Sequence, residues 1–258
     1  MIALTTKEER NARKRELAAI RRESFALADV ERLPTSVIIW RGASLIDGTE
    51  IVAVVTNLAI PSENRKTGDM AQVYIFPVGT RPVEAIATGA DVSVCGDCPL
   101  KPSVAKSNGL RPCYVNAGWL GKTWDSIPNL PYVEPERVSR YLAAIGLGCR
   151  DGSWGDPGGV PVSVWQALHK YGGKGTSYSH QWHKASPALA EFAMASVQTV
   201  AEKNAANAIG YRTYRVTTGA LESDEIICPE STRGISCADC GLCAGNRVQA
   251  KNIVIRPI

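Results

Sequence analysis

The 258-residue chain lacks most short motifs that announce a common chemistry. No G-x4-G-K-[ST] loop occurs, and "GGKGTS" (172–177) has the wrong spacing to cradle phosphates. No G-x-G-x-x-G opens a helix after a strand pattern, and both G-x-S-x-G and H-E-x-x-H are missing. ATP hydrolysis, dinucleotide-linked redox chemistry and serine hydrolysis therefore have little support. No apolar run approaches about 18 residues, so no membrane span is expected. The first stretch is charged and helical in pattern, without the apolar centre of a secretory signal, so a cytoplasmic location is expected. Internal repeats and low-complexity tracts are also absent. Histidine is scarce, at three residues.

What is present reads as a folded chain with 45% hydrophobic and 21% charged residues. Net charge is +4, most of it in "TTKEERNARKRELAAIRRES" near the start. Thr5 or Thr6 with Glu8 or Glu9 predicts a capping box there. Such a basic helix can lie along phosphates. The interleaved acids favour a solvated helix with i,i+4 ion pairs. Residues 1–30 are therefore expected to form a basic helix, and 31–258 one larger domain.

Three β-rich runs follow, "SVIIW" (36–40), "IVAVVT" (51–56) and "QVYIF" (72–76), separated by polar turns. "RPVEAIATG" (81–89) predicts a short helix stopped by Gly89. "VSV" before Cys95 predicts a strand. From about residue 135, helical and strand patterns alternate: helices in "EPERVSRYLAAIG", "VPVSVWQALHKYGG" and "TVAEKNAANAIG", strands in "SWGDP", "TSYSHQW", "AMASV", "YRTYRVTT" and "EIICP". Alternation of this kind indicates parallel β/α units. The expected fold is α/β, a small or irregular (β/α) barrel with cysteine-rich metal-binding loops, or alternatively an open parallel sheet. Chemistry in such folds gathers just past the strand C-terminal ends. Those positions hold Asp156, His180 with Gln181, Gln198, Thr217 and Cys228.

Eight cysteines in a reducing compartment are ligands or free thiols more often than disulfides. Cys228, Cys237, Cys240 and Cys243 lie within sixteen residues in Cys-x8-Cys-x2-Cys-x2-Cys spacing, a full tetrahedral set within segment 225–245. Zinc and an iron–sulfur cluster both accept four cysteines. The C-x3-C-x2-C signature of radical chemistry is absent. Cys95, Cys98 and Cys113 form a second set without an evident fourth member. Cys149, His180 or His183 could complete it. An open catalytic metal, a second structural site, a thioredoxin-like redox pair and plain structural thiols are the readings open for it. Asn116, close behind Cys113, would face a ligand.

Asp156 in "GSWGDPGGVP" is either a turn and cap residue or a carboxylate at the barrel mouth acting as nucleophile, base or reader of a base edge. "SYSHQWHK" gathers Tyr178, His180, Gln181, Trp182 and His183, two of the three histidines. Rings that stack bases and amides that read their edges have this composition, as does an ordinary aromatic packing cluster. His180 joins Asp156 as a catalytic candidate. Tyr178, Gln181, Trp182, Gln198 and Asn116 are substrate-binding candidates.

Together, "KTGDMAQVYIF", "TGADVSVCGDCPLKP…CYVN", "GSWGDP…VP…VW", "SYSHQW", "MASV", "YRTYRV" and "CP…CADCGLC" resemble a cysteine-rich family of tailed-phage proteins of unassigned function. The resemblance spans about residues 50–245. The family pattern often has aspartate after "MASV", where this chain has Gln198, and Cys149 is an addition to it. A more distant similarity is to the tRNA-guanine transglycosylases and the phage enzymes that insert 7-deazaguanine bases into DNA. That resemblance implies a (β/α) barrel, a late cysteine-rich zinc site and base exchange, with a carboxylate attacking C1′ as guanine leaves. Asp156 and the cysteines at 228, 237, 240 and 243 are the residues it carries over. The transglycosylase site uses C-x-C-x2-C plus a histidine, a spacing this chain does not have. The leading expectation is a nucleobase-modifying enzyme with structural zinc and DNA as partner. The alternatives are an iron–sulfur barrel enzyme and a non-catalytic zinc module binding DNA or protein.

Overall fold

The computed structural model describes residues 7–27, 31–62, 64–101, 104, 113, 115 and 117–256. The polar start forms helix α1 (Lys7–Leu27). None of its described side chains is buried, and Arg13 pairs with Glu16 at 2.7 Å, as a solvated helix should. The capping box expected at Thr5 or Thr6 lies outside the described residues.

The three early apolar runs become β1 (Val37–Ala43), β2 (Glu50–Thr56) and β3 (Met70–Pro77), an antiparallel meander. All of β2 after Glu50 is buried, as a strand covered on both faces requires. Beyond β3 every neighbouring pair is parallel. The strands are β4 (Gly148–Trp154), β5 (Gly175–Ser179), β6 (Met194–Val197), β7 (Thr213–Val216), β8 (Glu225–Ile227) and β9 (Asn252–Ile255). The order across the nine-stranded sheet is β1-β2-β3-β4-β5-β6-β7-β9-β8. The expected α/β class with a mostly parallel sheet is thus present. The late strand β9, between β7 and β8, was not foreseen.

The helices follow their sequence signals. α2 (Pro82–Thr88) starts on proline and stops at Gly89, whose φ is 83°. α3 (Val92–Cys95) replaces the strand expected for "VSV". Backbone bonds Cys95 N→Asp91 O (2.8 Å) and Gly96 N→Val92 O (2.8 Å) win over the β-preference of two valines. α4 (Ala117–Ser126) precedes α5 (Pro135–Ala144), which buries Val138, Tyr141 and Leu142 on one face. α6 (Val162–Leu168) is shorter than its pattern. α7 (Val200–Ala208) carries the capping box: Glu202 N donates to Thr199 Oγ1 at 3.1 Å and Thr199 N to Glu202 Oε2 at 3.0 Å. Two one-turn helices, α8 (Pro229–Arg233) and α9 (Cys237–Cys240), belong to the cysteine-rich segment. Among the described residues no helix is long and apolar enough to cross a membrane.

The core is an apolar cluster that runs from β1 to α7 and includes Ile39, Phe76, Tyr141 and Trp165. An ionic contact joins two strands inside the sheet. Arg215 of β7 reaches past β9 to Glu225 of β8 through Nε–Oε1 (2.7 Å) and Nη2–Oε2 (2.5 Å), both residues being buried. Glu225→Gln leaves that guanidinium buried without its counter-charge. Urea unfolding should show a loss of about 3 kcal/mol or more. A change under about 1 kcal/mol would mean that water reaches the pair.

Candidate functional site

The strand ends hold the residues expected of them. Asp156 lies two positions past β4, His180 and Gln181 follow β5, Gln198 follows β6, and Thr217 and Cys228 follow β7 and β8. Asp156 is buried, and its carboxylate accepts four hydrogen bonds. Ser179 Oγ (2.6 Å) and Gly158 N (2.8 Å) donate to Oδ1; His180 N (2.6 Å) and Gln181 N (3.2 Å) donate to Oδ2. Its own N–H donates to Val94 O at 2.6 Å. One side chain thus ties the β4 exit to the β5 exit and, through its backbone, to α3. Burial pushes its pKa above the ordinary carboxylate value, against the pull of the four donors.

Two polar groups beside this hub have no partner among the described residues. They are His180 Nε2 and Gln198 Nε2, both shielded from solvent, at the ends of adjacent strands. Burial holds the His180 imidazole down to about 4, against weaker opposing pulls from Asp97 and Glu202. It is neutral at pH 7 and able to accept a proton.

The "CGDC" loop leans on the same place. Gly96 has φ 56°, and a Cβ there would stand 2.3 Å from the Gln181 amide carbon, so glycine is required. Gln181 Nε2 donates to Cys95 O (3.3 Å) and Asp97 Oδ1 (2.7 Å). Lys184 Nζ (2.5 Å) and His183 Nε2 (3.4 Å) face Asp97 Oδ2. Burial alone would raise the Asp97 carboxyl, but hydrogen bonds from Lys184 and Gln181 and the nearby positive charge hold it at about 2. Buried Lys101 braces the loop from inside, donating to Gly96 O at 3.2 Å and standing 3.3 Å from Asp91 Oδ1.

Cys95, Cys98 and Cys113 are close enough to one another for their charges to interact. Burial pushes all three thiols up, Cys98 to about 12, and the carboxylate of Asp156 adds to the shift at Cys95 and Cys98. A thioredoxin-like pair needs one thiol well below the ordinary value, so these positions are poor redox nucleophiles as free thiols. Cys149 does not complete the set. It lies on the other face of β4, beside Asp151 and Arg247. Asn116 lies outside the described residues.

The second cysteine set stands elsewhere. Cys228, Cys237, Cys240 and Cys243 line a cavity of about 20 Å³ with Thr176, Tyr178 and Tyr214. Cys228 follows β8, while the stretch around Cys237 to Cys240 docks on the loops that precede β3 and β5. Cys237 N donates to Lys66 O (3.0 Å), Ala238 N to Thr67 O (2.8 Å), and Lys174 Nζ to Asp239 O (3.0 Å). Arg212 clamps the same segment through four carbonyls: Leu242 (2.9 Å), Gly245 (2.9 Å), Ala250 (2.8 Å) and Lys251 (2.6 Å). Gly245 fits only without a Cβ, which would meet Glu191 O at 2.6 Å. Ser177 N donates to Cys243 O at 3.1 Å where β5 changes partner from β4 to β6. In parallel β/α folds this N-terminal edge is read as stability, and the opposite edge as chemistry.

The donor chemistry suits a metal: four thiols of one segment around a space that admits one water-sized atom. An eight-atom iron–sulfur cluster needs more room than that. As the side chains stand, no group of three or more His, Cys, Asp or Glu among the described residues is arranged to hold an ion.

Strand alternation separates Tyr178 from its neighbours in "SYSHQW". Its ring packs against Tyr214 at 4.4 Å between centroids and lines the cysteine cavity, while Ser179 faces Asp156. Trp182 is partly buried against the core, edge-on to His183 at 5.4 Å. His180, Gln181 and Gln198 therefore lie with Asp156 at the C-terminal edge of the strands, and the Tyr178 ring turns to the cysteine cavity instead. Asp97 and Lys101 belong to this site and were missed by the sequence reading. Their place inside and just after "CGDC" was the available signal.

The chain matches no protein-family model, no curated protein and no solved structure.

Asp156→Asn puts an amide nitrogen among four donors. It should cost about 2 kcal/mol in chemical denaturation and speed the reaction of Cys95 and Cys98 with a disulfide reagent. Unchanged thiol reactivity would show that the loop is held without Asp156. For His180, the unfolded imidazole takes up its proton near pH 6.5, before the folded one does. Stability from this group is full above pH 6.5 and lost as pH falls toward 4. Between pH 7 and 4.5 the loss should be about 2–3 kcal/mol. His180→Gln should flatten that part of the stability–pH curve, and an identical curve would refute the buried neutral imidazole.

Proposed function

We propose that this chain is a metal-containing enzyme that modifies a nucleobase, with its active site at the C-terminal edge of the parallel strands. The observation that carries the reading is the pair of buried, unpartnered groups His180 Nε2 and Gln198 Nε2 on adjacent strand ends. Leaving such groups unpaired costs free energy unless a ligand satisfies them. A planar heterocycle with ring nitrogens and an exocyclic oxygen or amine would satisfy both. His180, neutral at pH 7, would serve as general base.

The resemblance to transglycosylases suggests base exchange on DNA. In that scheme the C1′–N bond to guanine breaks as the carboxylate–C1′ bond forms. The incoming base then displaces the carboxylate, and a proton passes to the departing guanine. Asp156 is the carboxylate the resemblance offers. Its two oxygens already accept four hydrogen bonds, which favours a positioning role over attack.

A zinc ion on Cys228, Cys237, Cys240 and Cys243 would cross-link the cap to β8. An irregular barrel belongs to the same reading. It is supported by contacts from the segment after β8 back to the loop before β3, where Lys66 lies 3.7 Å from Glu230.

The test combines nucleoside mass spectrometry with metal analysis. DNA from cells expressing the protein should contain a nucleoside absent from control cells. His180→Ala should abolish it at unchanged metal content, and Cys240→Ser should remove one equivalent of zinc. An unaltered nucleoside profile in DNA and RNA would discard base chemistry. Brown protein absorbing near 400 nm would replace zinc with an iron–sulfur cluster.

A further inference from the structure

The backbone around Cys95, Cys98 and Cys113 turns three thiols toward one place. α3 ends on Cys95, and Gly96 reverses the chain with φ 56°. Cys98 N then donates to Cys95 O (3.2 Å) and Lys101 N to Cys98 O (3.2 Å), two tight turns in succession. Cys113 N donates to Leu100 O at 2.7 Å, so the third cysteine returns beside the second turn. A Cys-x2-Cys turn met by a thiol from a returning chain is an arrangement that zinc sites use. All three cysteines are partly exposed, which leaves an ion a way in.

Three backbone amides are spent on these sulfurs. Leu100 and Lys101 donate to Cys98, and Val115 donates to Cys113. A neutral thiol is a weak acceptor, and amides aimed this way favour the thiolate. Burial opposes the thiolate and outweighs the amides while no cation is present.

The neighbouring charges suit a cation. Asp91 is 2% exposed, and its Oδ1 has no hydrogen-bond partner among the described residues. The Lys101 ammonium stands 3.3 Å from that oxygen and donates to Gly96 O instead. After burial, Asp91 is the strongest influence raising the Cys95 thiol, ahead of Cys98 and Cys113. A buried carboxylate oxygen without a hydrogen bond, beside three thiols, costs free energy that a metal bond would offset. Other donors are engaged elsewhere: Cys149 lies on the far face of β4, His183 faces Asp97, and Asp156 holds four donors. A dication on three thiolates and one carboxylate leaves two negative charges in excess. Buried Lys101, and Arg150 acting on Cys113, supply the matching positive charges.

We infer that Cys95, Cys98, Cys113 and Asp91 bind a second zinc ion, which locks the loop carrying Asp97 against Gln181. The inference goes beyond the proposed function, which places zinc only on Cys228, Cys237, Cys240 and Cys243. The four donors do not yet converge as the side chains stand. Rotation about the cysteine Cα–Cβ bonds gathers the sulfurs. Three thiol protons leave to solvent as three zinc–sulfur bonds and one zinc–oxygen bond form.

The experiment is elemental zinc analysis of the full chain, joined to alkylation mapping of its cysteines. Wild type should carry two equivalents, and Cys98→Ser and Cys240→Ser one each. Asp91→Ala should weaken the ion of this loop by more than the roughly 10- to 100-fold that outer partners of a metal ligand supply. In folded wild type, Cys95, Cys98 and Cys113 should resist iodoacetamide until a chelator removes the metal, a readout that needs no variant to fold. A single equivalent in wild type that Cys98→Ser retains would overturn the site. So would equal alkylation of the three thiols with and without chelator, or iron with sulfide in place of zinc. Unchanged affinity in Asp91→Ala would remove the carboxylate from the shell. Two equivalents of zinc with an unaltered nucleoside profile would leave this site standing and discard the catalytic reading. A new nucleoside made by protein with one equivalent would do the reverse.

Discussion

The carboxylate of Asp156 is the contact on which the C-terminal edge depends. A buried charge is tolerated only when hydrogen bonds replace the water it has lost. Here the replacements come from the 3-10 turn after β4 and from three successive residues at the end of β5 and just past it. The turn at the β5 exit is held by the carboxylate itself. The position of Gln181, and through it of Asp97 and the first cysteine loop, follows from that turn. The side chain that looks most like a reactive acid in the sequence is the best-satisfied one in the fold.

The two cysteine sets divide the labour. The complete set of four joins the end of β8 to loops that precede β3 and β5, under the Arg212 clamp and against Tyr178 and Tyr214. Of the incomplete set, Cys95 and Cys98 lie near Asp156, and Gln181 bonds the Cys95 carbonyl. Between them runs a polar row on one face of the sheet. Gln72, Arg150 and Thr176 are register partners there, and the Arg150 charge is felt at both Cys113 and Cys237. One cation therefore pulls thiols of both loops down, against the burial that raises them.

Much of this was legible because it depends on local pattern. Alternating apolar periods announced the parallel strands, and "GDP" announced a turn that Asp156 would stabilise. Pro135 with Gly146 bounded α5. What escaped depends on distance or on parity. The Gln181–Asp97 bond joins residues 84 apart, and the Arg212 bonds reach 30 to 39 residues along the chain. "SYSHQW" looked like one cluster, but a strand sends Tyr178 and Ser179 to opposite faces. "VSV" carried strand propensity that two backbone bonds overrode. β9 is four residues long, too short to stand out beside "KNIVIRPI" as a terminal apolar run.

The placement of β9 orders the assembly in time. Among the described strands β8 pairs with β9 alone, and β9 follows it by 25 residues with the cysteine segment between. During synthesis β8 emerges with no strand to join, because the slot beside β7 belongs to a segment not yet made. Pairing of β8 thus waits on β9, which fills the gap between β7 and β8 from a point later in the chain than either.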